Sequence, residues 1–290
     1  MRADEAVRQN PGPMGVLALL RYPVKAMLGE SLDAVEVGPS GLRGDRGWVV
    51  VDTGTGQRIA NKRGPTDPRL RACRAEFLEV SDERLPLRVT LPDGRAVVGD
   101  EIEPALSDLL ERPVALEPHR DRGEGRLGAT GAHHDLAPLH LITTSTLGRL
   151  RRAAPSSEWG VHRFRANLLL DDGEERDGFA EDALVGGTLR APSGLEIKVE
   201  IPTPRCVVPT RAHDGLPADP AILRTIVAEH RIDLGAFGNQ GCAGAYATIS
   251  RSGRLATGDR VEVQAPAMPP ARSIRDAVAQ LEADLVDTRQ

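Results

Sequence analysis

The sequence predicts a mainly β protein with a minority of helices, and three observations carry that prediction. Thirty glycines and 22 prolines in 290 residues supply many chain reversals and favour short strands. Aromatic residues make up only 3% of a chain that is 40% hydrophobic, so the cores must be built from Val, Leu, Ala and Ile. Apolar and polar residues alternate with period two in one short segment after another, as in "LEIKVEI", where Leu195, Ile197, Val199 and Ile201 alternate with Glu196, Lys198 and Glu200.

Taken in order, "VLALLRYPV", "SLDAVEVG" and "GWVVVD" read as strands, and "LRVTLPDGRAVV" as a hairpin around Asp93-Gly94. "EPALSDLLER" (103–112) reads as a helix and "PVALEP" as a further strand. "HRDRGEGRLGATGAHH" is Gly-rich, charged and without apolar period, which predicts a connecting loop over 119–134. The chain then divides into a disordered start (1–13), an N-terminal domain (14–118), the connection (119–134), a second domain (135–267) and a helical tail (268–290). In the second domain "LAPLHLITTSTLGRLRRA" is a strand running into a helix, with Thr143 or Thr144 as its cap and Leu147 and Leu150 on the buried side. "RFRANLLLDD" reads as a strand, "ALVGGTLRAP" as half a hairpin, and "DPAILRTIVAEHR" as a helix with Ile222, Leu223, Ile226 and Val227 at helical spacing. "AYATIS" and "RVEVQA" are strands, and "SIRDAVAQLEADLV" an amphipathic helix that packs on the body or on a partner.

A net charge of −5 gives no support to a general nucleic-acid binder, although arginine is locally dense, so any anion site must be a pocket. The three cysteines, 73, 206 and 242, are odd in number and form no CxxC, which argues against a disulfide framework or a zinc knuckle and for a reducing compartment. The first dozen residues hold no apolar core of a signal peptide, and nowhere do eighteen apolar residues run together. The expectation is a cytoplasmic protein with no membrane and no nucleic-acid partner. GxGxxG, Walker, GxSxG and HExxH motifs are absent, which disfavours the commonest nucleotide, hydrolase and zinc-protease chemistries.

Attention therefore falls on "EIPTPRCVVPT" (200–210). Pro202 and Pro204 remove backbone donors, so the chain is expected to leave the ladder there as a stiff loop that holds Cys206 still. Cys206 is either a small buried hydrophobe or, with the cation of Arg205 beside it, a thiolate able to act as nucleophile, persulfide carrier or soft metal ligand. Arg163, Arg165 and Asn167, two residues apart, would share one strand face as a clamp for a phosphate or a pterin-like ring, or else form a solvated edge. The His133-His134 pair reads as loop residues, because neighbours on an extended chain point apart.

"YPVKAM" (22–27), "GLRGDRGWVVVD" (41–52), "PLHLITTSTL" (138–147), "RFRANLLLD" (163–171), "PTPRCVVPT" (202–210) and "GRLATGDRVEV" (253–263) stand in the order found in MOSC-domain proteins. Over about residues 14 to 265 the chain resembles the branch that holds the mitochondrial amidoxime-reducing component and its bacterial relatives, in which a β-barrel domain precedes the MOSC domain. The resemblance implies two barrel domains with a molybdenum cofactor between them and Cys206 as molybdenum ligand. It further implies that Lys25, Thr143, Arg165, Thr203, Arg205, Tyr246 and either Lys62 or Arg63 hold the pterin and its phosphate, and that Asp182 is an acid near the metal. The implied reaction is reduction of N-hydroxylated or related small substrates. The chain carries no flavin or iron–sulfur segment, so electrons would come from a partner reductase. The alternative is a cofactor carrier or sulfur-transfer module using the same cysteine. Departures from the family pattern at Leu184 and Ala243, and a long "GAFGNQGC" loop, are expected to reshape the substrate side. Cys73 is expected in the core and Cys242 near the pocket rim.

Overall fold

The computed structural model describes residues 12–59, 67–78, 86–118, 133–173, 178–266, 268 and 270–287. Strands predominate among them, as the alternation predicts. The largest sheet has nine strands. Its path runs through Leu139–Thr143, Leu168–Asp171, Met14–Arg21, Arg260–Gln264, Thr188–Arg190, Glu196–Pro204 and Asn239–Arg251. It returns to its start, because Leu139 also faces Ala247. These seven strands close a barrel, which leaves none of them with an unpaired edge. Leu139–Thr143 and Leu168–Asp171 run parallel, and the helix Thr144–Ala153 and the turn Val161–Phe164 form the crossover such a pair requires.

The first strand, Met14–Arg21, is a stave of this barrel: Gly15 faces Asp171 on one side and Arg260 on the other. Ala34–Gly38 likewise pairs with Gly253–Ala256. Residues before 119 therefore feed two cores. Met14, Val16, Leu19, Val35, Val37 and Leu42 pack inside the barrel, whereas Val24, Val50, Leu70, Val89, Leu106 and Val114 form a separate N-terminal core. That second core lies among Trp48–Asp52 with its neighbour Val114–Pro118, the Leu87–Thr90/Ala96–Val98 hairpin, and the helix Ile102–Leu110. Each fully buried leucine or valine side chain contributes about 2 kcal/mol. Outside the barrel a third cluster joins Ile142, Leu150, Trp159, Phe164, Ile222, Ile226 and Ala243. The helix Pro270–Asp287 buries Ile274, Val278 and Leu281 on the barrel, the packing its apolar stripe predicts. No helix among the described residues is long and apolar enough to cross a membrane.

Two expectations are corrected. The strand Glu196–Pro204 does not stop at Pro202: Pro202 faces Ala245, Pro204 faces Cys242, and Arg205 N donates to Gly241 O at 2.8 Å. Register shifts between Val199 and Ile201 and between Pro202 and Pro204 accommodate the missing donors, the kind of position where a sheet tolerates proline. Nor do Arg163, Arg165 and Asn167 share a strand face. Arg163 lies in the helical turn Val161–Phe164, Arg165 closes that turn in the left-handed region at φ 51°, and the strand begins at Leu168.

Candidate functional site

A cavity of about 390 Å³ opens where the N-terminal part meets the barrel mouth, a volume suited to a cofactor-sized ligand. Cys206 lies on its wall as a half-buried free thiol, just past the end of the strand Glu196–Pro204. Its neighbour Arg205 is held by a donation from Nη2 to Phe164 O at 3.0 Å and by stacking at 5.2 Å over the Phe164 ring. Arg205 Nη1 lies 3.3 Å from His140 Nε2. Burial, then the charges of Arg205 and Arg46, hold His140 well below its ordinary pKa, so the ring is neutral and Nε2 accepts. Gly244 permits this contact: at φ +80° a Cβ there would stand 2.4 Å from His140 Nε2.

Arg165 comes from the opposite wall. Its Nη1 donates to Met27 O and its guanidinium lies 4.2 Å above the Tyr22 ring. Burial, then the charge of Arg46, lowers its pKa to about 10. Arg46 lies 5.0 Å from the same ring and donates from Nη2 to Arg165 O at 3.0 Å. Burial opposes its charge, but the buried carboxylate of Asp45, which accepts from Arg46 Nη1, outweighs that and raises the pKa. Asn167 Nδ2 donates to Asp45 Oδ2 at 3.0 Å and to Leu20 O at 3.1 Å, tying this wall to the first strand. Lys25 Nζ donates to His133 O at 2.9 Å and to Asp135 Oδ1 at 3.2 Å. Tyr246, its phenol pushed above the ordinary range by burial, completes the wall with its ring 5.7 Å from that of His140.

Four cations, Lys25, Arg46, Arg165 and Arg205, thus border the cavity against the carboxylates of Asp45 and Asp135, an excess of two positive charges. Two buried polar atoms beside Cys206, Arg205 Nε and Thr203 Oγ1, have no hydrogen-bond partner. A buried polar atom without a partner in the chain is met by water or by a ligand. The charges and the thiol are chemically suited to an anion that also carries a soft metal.

Several expected residues lie elsewhere. Thr143 caps the helix Thr144–Ala153, its hydroxyl accepting from Thr146 N at 3.3 Å, and its side chain is buried against Glu181 rather than on the cavity wall. Asp182 accepts from or shares a proton with His230 Nε2 at 2.8 Å, away from the cavity lining. Arg163 is fully buried and bonded to backbone carbonyls. Thr203 does not line the cavity, though it lies on the strand that delivers Cys206. Lys62 and Arg63 lie outside the described residues. Leu184 and Ala243 are both core residues off the cavity wall, so neither reshapes it directly, and Cys242 is core rather than rim. His133 and His134, read as plain loop residues, both line the cavity; burial lowers the pKa of His134 to about 4. Among the described residues no group of His, Cys, Asp and Glu is arranged to hold a metal ion by itself. Arg46 was missed. Its signal is the Asp-Arg pair within "GLRGDRGW", where the arginine takes φ 48°, a conformation glycine would normally supply.

The fold is a closed barrel with a second β core beside it, and a cation-lined cavity with a thiol on its wall lies between them. Residues 130–262 match the family described as MOSC domain, and residues 14–113 match the MOSC N-terminal beta barrel domain. The chain belongs to the MOSC-domain family. No curated protein matches it. Among solved structures it is similar to the YuaD protein from Bacillus subtilis, at 13% identity over 88% of this chain and 97% of that one, with a TM-score of 0.46. It is also similar to a structure described only as a hypothetical protein, at 12% identity over 92% and 74% of the two chains, with a TM-score of 0.43. A third, YiiM from Geobacillus stearothermophilus, aligns at 13% identity over 64% and 76%, with a TM-score of 0.34.

Proposed function

We propose that the protein binds a molybdenum cofactor in this cavity and acts as an oxidoreductase that reduces N-hydroxylated or related N-oxygenated small molecules. The observation that carries the reading is the Cys206 thiol set beside an excess of positive charge, with the buried Arg205 Nε left without a partner. When bound, such a cofactor would supply the metal centre for removing the substrate's oxygen, with the two electrons drawn from a partner reductase. Cys206 offers the thiolate ligand. Arg165 and Arg205, fixed by Met27 O, Tyr22 and Phe164, meet the phosphate of the pterin without having to be ordered first. Neutral His140 keeps Arg205 oriented without adding a competing charge. Tyr246 and Asn167 close the polar wall.

The test is metal and pterin analysis of protein made in a host with abundant cofactor, beside the Cys206→Ser variant. The reading requires both groups in the wild-type protein and metal loss in the variant, because a hydroxyl is a harder and far less acidic donor than a thiol. Wild-type protein lacking both groups defeats it. The half-exposed thiol also suits carriage of the cofactor or of a persulfide. Bound cofactor without turnover under any electron donor, or labelled sulfur on Cys206 after exposure to a cysteine desulfurase, would select that second reading.

A further inference from the structure

The loop that follows Cys206 is tied at three points. Its neck closes where Asp219 N donates to Thr210 O at 2.8 Å, and its tip folds back through paired bonds between His213 and Leu216 at 3.1 and 2.8 Å. At the tip Arg74 Nη2 meets Asp214 Oδ1 at 2.5 Å, joining the loop to the N-terminal part. The third tie is Arg163. Its guanidinium has no solvent exposure and donates from Nη1 to Pro209 O at 3.2 Å, from Nη2 to Pro217 O at 3.1 Å, and from Nε to Glu158 O at 2.6 Å. One planar fork therefore holds both sides of the loop from beneath. The same short turn fixes the other flank of the thiol, since Phe164 O accepts from Arg205 Nη2 at 3.0 Å and Arg205 N is bonded to Gly241 O. Between the two anchors, Arg205 and Pro209, lie only Cys206, Val207 and Val208.

We infer that Arg163 is the positioning residue of Cys206: its buried guanidinium, clamped to the carbonyls of Pro209 and Pro217, fixes where the thiol stands on the cavity wall. The inference rests on Cys206 being the reactive group of the proposed function. Lysine cannot replace this arginine, because a single ammonium does not present three donors in one plane to three separated carbonyls. Removing the fork leaves the carbonyl of the buried Pro209 unpaired and the loop free to lift from its floor.

Alkylation of the cofactor-free protein by iodoacetamide, followed residue by residue by mass spectrometry, reads the loop without needing the cofactor. In Arg163→Lys, Cys206 is expected to react about tenfold faster than in wild type, while Cys73 and Cys242, both buried, stay protected and report an intact fold. Asp214→Asn, which cuts the tip tie alone, is expected to leave the Cys206 rate within about twofold. An Arg163→Lys protein with protected core cysteines and a wild-type Cys206 rate overturns the inference. Should that variant not fold, hydrogen exchange on wild type decides. The amides of Thr210 and Asp219 are expected to be as slow as those of Leu168–Asp171, and exchange at the rate of an open loop overturns the inference. Where turnover is measurable, Arg163→Lys is expected to lower kcat by about 10- to 100-fold with bound metal and KM unchanged. Wild-type protein without metal would instead refute the proposed function and leave the thiol measurement standing.

Discussion

Two regions of this molecule bury charge, and they do so in opposite ways. Beneath the helix Thr144–Ala153, the carboxylate of Glu181 accepts from Thr143 N at 2.7 Å, from Thr143 Oγ1 at 3.1 Å and from Thr146 Oγ1. Next to it His230 is bonded to Asp182 at 2.8 Å and to Cys242 O at 3.0 Å, and stacked on Phe179 at 3.8 Å. Every donor and acceptor named in that cluster has a partner within the chain. The cavity around Cys206 gathers four cations and leaves Arg205 Nε with no partner in the chain. Closed networks hold a fold together, whereas open ones await something from outside. Resemblance assigned Thr143, Asp182, Arg165 and Arg205 to one site; their hydrogen bonds divide them.

The comparison breaks most readily at Glu181. Glu181→Ala strands three buried donors and is expected to cost about 4 kcal/mol of unfolding free energy, measured by chemical denaturation. The equivalent change on the other side, Arg205→Met, removes a buried cation whose partners are incomplete and is expected to cost much less in the unliganded protein.

The pH dependence sharpens it next. Burial raises the Glu181 carboxyl from 4.5 to about 7, so its stabilising contribution is present below about 4.5 and is lost as pH rises through 7. Burial opposes charge on His230, but Asp182 outweighs it and raises its pKa, so that contribution is present below about 6.5 and is also lost as pH rises. The two add in the same direction. Stability should fall by on the order of 3 kcal/mol between pH 4.5 and 8, and Glu181→Gln should remove most of the slope.

A smaller effect tests the open side. Pyrophosphate, as a stand-in for the pterin phosphate, is expected to stabilise wild type by about 2 kcal/mol when supplied well above its dissociation constant, and to leave Arg205→Met unmoved in a thermal scan. The smallest belongs to Thr203. Its hydroxyl is buried without a partner, so Thr203→Val should change the stability of the unliganded protein by less than about 1 kcal/mol, with gain as the favoured sign.

Local pattern made much of this fold legible. The alternation in "LEIKVEI", the Asp93-Gly94 turn and the capping threonine before "STLGRLRRA" each produced the element they predict, because each signal is complete within a few residues. The "RFRAN" stretch misled because a four-residue helical turn is too short to show a 3.6 period, and its arginines happened to fall two apart. Cys206 was legible from its setting. The roles of Arg46 and Arg163 were not, since one depends on a left-handed backbone and the other on carbonyls contributed from 46 and 54 positions further along.

The place of the first strand carries a consequence for how the chain is made. Met14 pairs with Val261, and the stave Met14–Arg21 sits between strands that begin at Leu168 and Arg260. During synthesis the earliest barrel strand leaves the ribosome with only Glu30–Leu32 soon available to pair with it, and Met14, Val16, Leu19 and Leu20 lack the rest of their final packing until the strands beginning at Leu168 and Arg260 arrive. Loop-closure entropy across nearly the whole polypeptide must be overcome before the barrel is rewarded with its core, which makes this a slow, high-contact-order fold. Nascent chains stalled before residue 260 would leave that strand without one of its two barrel neighbours.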